Sequence, residues 1–415
     1  MDVRYAWTVP GGKGENVKII DIELNWNLNH SDLIVAASDA FILVKGIDRL
    51  PDDVQNQANI DHGTAVLGEL VAADDGIGVT GIAHRARLGL VNPLTNGTTP
   101  DVEGAIRRAA ANLEPGDVIL LELSVAGPRF DPFGGKGLVP VEFEPGVFAA
   151  IKEATSNGII VVESAGNGFE DLDHPAYGGA FNRINRDSGA IIVGAGRPEG
   201  GIYGSGPDRT RTEESNFGSR VDLQGWGRFV TTSGYGPLRE EQGPNNLYTI
   251  DFGATSAAAA MVAGAAAVLQ SIVKERGRPP LTADQMRVLL VSTGTPQAGN
   301  LAQHIGPRPD LRAAIEGLDS AGADPAITRV KLKNAGTRLL VDGAGFTTGD
   351  SIIEIDGTPV TKLKYPADFR LPNGQTTRLV TKGDISGLVP TGVEVAIVVF
   401  TPSSGKRSEP FLLTR

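Results

Sequence analysis

Asp117-Val-Ile-Leu-Leu-Glu-Leu-Ser124 is the stretch whose reading decides the fold. Its apolar run shows no period-two alternation, so a strand here buries both faces, as strands of parallel sheets do. Two more runs of the same kind follow, Gly158-Ile-Ile-Val-Val-Glu-Ser164 and Gly189-Ala-Ile-Ile-Val-Gly194. Upstream, Val17-Lys-Ile-Ile-Asp-Ile-Glu23 and Arg87-Leu-Gly-Leu-Val-Asn92 also read as strands. Helical patterns lie between them at 63–73, 101–112 and 146–156, and two more follow at 256–274 and 282–292. This alternation predicts an α/β fold, a parallel sheet with helices on both faces. In such sheets functional residues gather at the carboxyl ends of the strands.

The pattern changes after Leu318. Asp319-Ser-Ala-Gly-Ala-Asp-Pro325 reads as a linker. Beyond it no helical period occurs, and short strands are expected at 327–332, 337–341, 351–355, 376–381, 393–400 and 409–414. Such a series predicts a small all-β sandwich. The expected domains are therefore 1–318 and 326–415, joined by 319–325. Asp342-Gly-Ala-Gly-Phe-Thr-Thr-Gly-Asp350 and Ile355-Asp-Gly-Thr358 resemble turns of immunoglobulin-like domains of the IPT/TIG group.

The 415 residues carry a net charge of −11 and no cysteine. An acidic surface repels phosphate backbones, which argues against nucleic acid as a partner. Disulfides, thiolate metal sites and cysteine nucleophiles are excluded. The 54 glycines and 26 prolines tilt a globular composition towards turns. Met1-Asp-Val-Arg-Tyr-Ala-Trp7 lacks the apolar core of a signal peptide. The chain is thus read as an extracellular protein in mature form, with the cytoplasm as the alternative. Residues 253–273 carry no charge, but their Ala, Gly and Ser content suits a buried helix better than a membrane span.

Five histidines limit the choice of a general base: His30, His62, His84, His174 and His304. His62 is expected at the start of a helix, in Asp61-His-Gly-Thr-Ala-Val-Leu-Gly68. Ser256 heads a long helix of small residues, beside the positive end of its dipole. Asp21 ends a strand, where a carboxylate can orient an imidazole. Asn167 ends another, in Ser164-Ala-Gly-Asn167, where an amide can donate to an oxyanion. Taken singly, each has a plainer explanation, such as a helix cap for Ser256. All four fall at the ends of consecutive buried elements.

Asp21, His62-Gly-Thr-x-Val-x-Gly68, Ser164-Ala-Gly-Asn167 and Thr255-Ser-x-Ala-x-x-x-Val-Ala-Gly264, in that order, resemble the subtilisin-like serine peptidases. The resemblance spans about residues 5–318. It implies Ser256 as nucleophile, His62 as general base and acid, Asp21 as the orienting carboxylate, and Asn167 with the Ser256 amide as oxyanion donors. It also implies a substrate-binding strand at Ser124, Val125, Ala126 and Gly127, and a second pocket wall at Ser164, Ala165 and Gly166. His30-Ser-Asp-Leu33 and Ala73-Asp-Asp-Gly-Ile-Gly-Val79 resemble the segments that hold a structural calcium ion. Asp32 and Asp75 would then supply carboxylates, with backbone oxygens from Ala73, Ile77 and Val79. No cofactor is required for the chemistry. The chain departs from the family pattern at Ala254, where glycine is usual, at Ala260, where proline is usual, and at Ile22-Glu23 after the aspartate.

Gly76-Ile-Gly-Val-Thr-Gly81 matches a dinucleotide motif only formally, since it follows a helix and precedes a strand. Glu122 and Glu163 each end a buried strand at similar height on neighbouring strands, where either each bonds backbone or a basic residue or the two lie close enough to share a proton. The function expected is a serine endopeptidase acting on extended or unfolded polypeptide. The alternatives are a weakly active or inactive binding protein with the peptidase fold, or a dedicated processing protease. The C-terminal sandwich is expected to bind a protein, a glycan or a surface, or to stabilise its neighbour.

Overall fold

The computed structural model describes residues 1–44, 54–94, 100–199, 206–320, 325–366, 375–402 and 406–414. Contacts divide the chain into two units, 1–312 and 313–415.

The first unit is built on seven parallel strands: β1 (Lys18–Ile22), β2 (Phe41–Val44), β3 (Arg87–Val91), β4 (Val118–Leu121), β7 (Ile160–Ser164), β8 (Ile191–Gly196) and β9 (Leu223–Trp226). Two antiparallel hairpins accompany them, β5 (Ser124–Asp131) with β6 (Lys136–Pro140), and β10 (Val230–Leu238) with β11 (Tyr248–Phe252). The sheet order is β2-β3-β1-β4-β7-β8-β9, with every neighbouring pair parallel. The helices are α1 (Val3–Ala6), α2 (Ile34–Ser38), α3 (Val54–Val71), α4 (Val102–Ala110), α5 (Pro145–Ser156), α6 (Ala254–Glu275) and α7 (Ala283–Thr293), while α8 (Leu311–Ser320) begins in this unit and continues in the second.

Side chains alternate across each strand, so the faces divide by parity. Ile20, Ile22, Ile119, Leu121 and Val161 point to one face and pack with Ala105, Ile106 and Ile151 of α4 and α5. The opposite face receives α6, which touches β4, β7, β8 and β9 and also α3. Ala257 to Ala260 are fully buried there, which only a helix of small side chains allows at such close approach.

The expected strands and helices of this unit are present within a few residues, apart from α3. It begins by Val54 rather than at Gly63, so His62 lies inside the helix and does not open it. The sequence reading omitted β2, β6, β9 and the β10–β11 hairpin.

The second unit contains two antiparallel sheets. One pairs Ala326–Lys333, Arg338–Thr347, Gln375–Thr381 and Leu363–Lys364; the other pairs Thr358–Val360, Ile352–Ile355, Glu394–Thr401, Lys406–Arg407 and Phe411–Thr414. They share an apolar core that includes Leu339, Val341, Phe346, Ile353, Leu379, Ile397 and Val399. The expected linker at 319–325 overlaps the end of α8, and its residues 321–324 lie outside the described residues.

The contact of α6 with the sheet depends on Gly225 in β9, where an added Cβ would come within 2.5 Å of the Ala258 backbone. We therefore expect Gly225→Ala to lower stability by about 1–3 kcal/mol through overpacking. Denaturant unfolding measures it.

Candidate active site

The site is assembled where α3 and α6 meet the carboxyl ends of β1, β4 and β7. Ser256 lies in the first turn of α6 and is almost fully buried. The residue before it fixes the amide: Thr255 donates from its backbone N at 3.1 Å and its hydroxyl at 2.8 Å to Asn167 Oδ1. With its oxygen so engaged, Asn167 presents its NH2 group as the donor. Among the described contacts no hydrogen bond joins Ser256 to His62. Such bonds are often long in unliganded peptidases.

The carboxylate on His62 is Glu23, not Asp21. His62 Nδ1 lies 2.6 Å from Glu23 Oε2, and Phe252 packs edge-on against the imidazole at 5.6 Å. Gly63 explains the approach. A Cβ there would lie 2.1 Å from Asn25 O and 3.0 Å from Glu23 Cγ, so glycine lets the turn after β1 rest on α3. Asp21 is fully buried and takes its hydrogen bond from Trp26 Nε1 at 2.7 Å, while its Oδ1 has no partner. Burial and the neighbouring Glu23 charge push the Asp21 carboxyl up to about 8, against smaller opposing effects of Trp26 and His62. For His62, burial disfavours the charged ring, but the charge and hydrogen bond of Glu23 outweigh it, and the net shift is upward.

Glu122 and Glu163 do not form a pair. In the β4–β7 register Leu121 stands opposite Glu163, so Glu122, one residue on, points to the other face. Glu163 Oε1 accepts from the Glu142 backbone at 2.9 Å. Nearby, Glu142 is locked to the fully buried Arg220 at 2.9 Å. Glu122 instead faces α3 and α6. Burial, with Asp21, Glu23 and Glu69 nearby, raises its carboxyl well above the usual range, while the Ser256 hydroxyl works the other way. Glu69, seven residues after His62 on α3, is raised by burial alone.

The two predicted pocket walls adjoin. A Cβ on Gly166, whose φ is +86°, would lie 3.3 Å from Ser124 Oγ and 2.9 Å from Asn216 Nδ2. Asn216 secures this corner by donating to Leu138 O and Ala165 O, both at 2.7 Å. Ser164 and Ala165 are buried, and the Ala165 methyl belongs to an apolar cluster with Val139 and Tyr177. Ser124 to Ala126 pair with β6 along one edge, and Gly127 follows in the same strand. A cleft of about 390 Å³ borders Leu123, Ser124 and Val125, with Asp101, Glu103 and Val147 across it.

The expected calcium ligands do not fit an ion. Asp32 Oδ1 accepts from Tyr248 Oη at 2.7 Å and Oδ2 from Val79 N at 2.8 Å. Asp75 turns back onto the Ile77 backbone N at 3.0 Å. The Tyr248 hydroxyl reaches the inside of the 73–79 turn, where a Cβ on Gly78 would come within 2.2 Å of it. Among the described residues, no three His, Asp or Glu side chains gather as a metal cluster.

A parallel α/β sheet that delivers a helix-heading serine, a histidine–carboxylate pair and an asparagine amide to one end has the build of a serine peptidase of subtilisin-like fold. The family model described as Subtilase family matches residues 12–309, and the chain belongs to that family. It is 28% identical over 291 residues to "Subtilisin DY" of Bacillus licheniformis, covering 69% of this chain and 86% of that protein. It is 26% identical over 295 residues to "Major intracellular serine protease" of Bacillus subtilis (strain 168), covering 69% and 78%. The fold is also that of the solved "Prenylagaramide maturation protease PagA", with a TM-score of 0.52 and 19% identity over 76% of this chain and 97% of that one.

Two expectations follow. Chelation by EDTA should leave Tm unchanged, whereas Tyr248→Phe, which strips a buried hydrogen bond from Asp32, should cost about 1–3 kcal/mol. Calorimetry reads both. The second concerns pH. Asp21, Glu69, Glu122 and His62 all hold protons more tightly when folded. Their contribution is complete below the unfolded-chain values and is lost as pH rises through the folded ones. For Asp21 that window runs from about 4, its value in an unfolded chain, to about 8. Stability should fall by on the order of several kcal/mol across it, read as a falling Tm between acidic and mildly alkaline buffer.

Proposed function

We propose that the protein is a serine endopeptidase in which Ser256 attacks the peptide carbonyl and His62 takes and returns the proton. Glu23 orients the imidazole, and Asn167 with the Ser256 backbone N–H receives the oxyanion. The observation that carries this reading is the partly buried contact of 2.6 Å between His62 Nδ1 and Glu23 Oε2. A carboxylate there holds the proton on Nδ1 and frees Nε2 to act as base. A weakly active binding protein has no evident use for that arrangement. Asp21, which keeps its proton to about pH 8, is a poor candidate for stabilising an imidazolium at neutral pH.

The substrate is an extended polypeptide segment. It would add along the edge of β5 that β6 leaves unpaired, with its side chains directed to the Ser124–Gly166 corner and the adjoining cleft. A dedicated processing protease is the second reading. It accords with the fold shared with PagA, which is named as a maturation protease, and with an exposed β5–β6 hairpin, where Phe133 is fully exposed. The C-terminal unit, read as an IPT/TIG-like domain, serves as a module for binding a protein, glycan or surface.

Glu23→Gln places an amide N–H against Nδ1 and should lower kcat by about 10⁴, the cost of a wrong tautomer in serine peptidases. Asp21→Asn should cost far less. Steady-state hydrolysis of an unfolded protein substrate measures both, and the reverse ranking would return the orienting role to Asp21. Labelling of Ser256 by a fluorophosphonate, abolished in His62→Ala, tests the nucleophile itself.

A further inference from the structure

Glu122 has no place in the mechanism above, yet it is 7% exposed and within reach of the Ser256 hydroxyl. Neither of its oxygens has a hydrogen bond of normal geometry. The Ser256 hydroxyl nevertheless lies close enough to favour its charged form. Acidic groups face it from the surrounding elements: Asp21 from β1, Glu23 from the turn after β1 and Glu69 from α3. Glu69 is likewise buried, with both oxygens unpaired. No lysine or arginine is among the main charges acting on Glu122. A carboxyl in that company holds its proton well above the usual carboxylate range.

The Ser256 hydroxyl therefore has two competing acceptors, His62 and Glu122. A neutral carboxyl is a modest acceptor, whereas an ionised one forms hydrogen bonds roughly twice as strong as a neutral partner. We propose that Glu122 is a proton-operated hold on the nucleophile: protonated, it leaves the Ser256 hydroxyl to His62, and ionised, it takes that hydroxyl as its own hydrogen-bond donor and silences the enzyme. No covalent bond changes; one proton leaves Glu122 for solvent, and the serine hydroxyl turns. Glu122 is a positioning residue in this scheme, and it rests on the reading of Ser256 as nucleophile.

The test is the rate of fluorophosphonate labelling at Ser256 in the full chain, followed from about pH 5 to about pH 10, the range in which a general base near neutrality would reach its plateau. The wild type should lose reactivity on the alkaline side. Glu122→Gln, which mimics the protonated carboxyl, should hold its rate there and exceed the wild type by about tenfold, the effect of one pH unit. Glu69→Gln removes a neighbour whose negative charge, once it forms as pH rises, opposes ionisation of Glu122, so its loss of reactivity should begin at lower pH. A purely structural role for Glu122 would move neither limb. Coincident profiles for wild type and Glu122→Gln would overturn the proposal, as would a folded Glu122→Gln that is slow at every pH, which would make Glu122 a proton acceptor. Should Glu122→Gln fail to fold, the direction of the Glu69→Gln shift decides. An absence of labelling in the wild type at all pH values would overturn the peptidase reading itself.

Discussion

The burial of α6 is the constraint from which the site follows. Eighteen of its residues are buried, because the helix is enclosed by the sheet on one side and by α3 on the other. Side chains no larger than alanine at residues 257–260 let the helix axis approach the strands closely. Glycines on the neighbouring elements supply the matching space, Gly225 against Ala258, and Gly264 of α6 itself against Ile82. Once the helix is lodged there, its first turn must lie at the carboxyl ends of the strands. Ser256 and Thr255 are held at that level, and Thr255 in turn orients Asn167 from the end of β7.

The same geometry creates an electrostatic problem. Residues at the interface of the sheet with α3 and α6 enter a space with little water, and burial there raises the proton affinity of three carboxyls, Asp21, Glu69 and Glu122. The far face solves a comparable problem differently. There Glu142 meets the fully buried Arg220 through two hydrogen bonds, and Arg220 also holds Asp222. Charge is neutralised by a cationic partner at Glu142 and by a raised proton affinity at Asp21, Glu69 and Glu122, and the far face mixes the two, since Glu163 beside Glu142 is also raised by burial. The carboxyls raised without a cationic partner lie on the side of Ser256.

Much of this was legible in the residues. Runs such as Ile160-Val-Val162 lack alternation because both faces are covered, so the parallel sheet could be read directly. β9 escaped because Leu-Gln-Gly-Trp has no β-branched run, and its glycine is there for helix packing rather than for strand preference. The start of α3 escaped because Val54-Gln-Asn-Gln57 carries no apolar period. The motifs pointed to His62, Ser256 and Asn167, and the structure gathers these around the heads of α6 and β7. They assigned the acid on the imidazole to Asp21, whereas Glu23 reaches it. Asp21 and Glu23 are two residues apart, and the choice depends on Trp26 engaging the first while the longer side chain of the second crosses above Gly63. A parity count along β4 and β7 would have separated Glu122 from Glu163.

The departures from the family pattern bear on whether the site is decaying or rebuilt. Ala254 holds the position where glycine is usual, with φ at +57°, a conformation that costs an alanine about 1 kcal/mol. Its N–H still donates to Gly227 O at 2.9 Å, so the turn into α6 is kept at that cost. At another departure Glu23 has acquired a definite partner, since it holds His62. Loss of selection on a catalytic site leaves buried polar groups orphaned, since nothing restores their partners. Here the groups that contact the histidine and the asparagine are satisfied, whereas Asp21 Oδ1 and both oxygens of Glu69 and Glu122 are buried without a partner. Burial raises the proton affinity of all three carboxyls, and a carboxyl that keeps its proton avoids the larger cost of an unpaired buried charge.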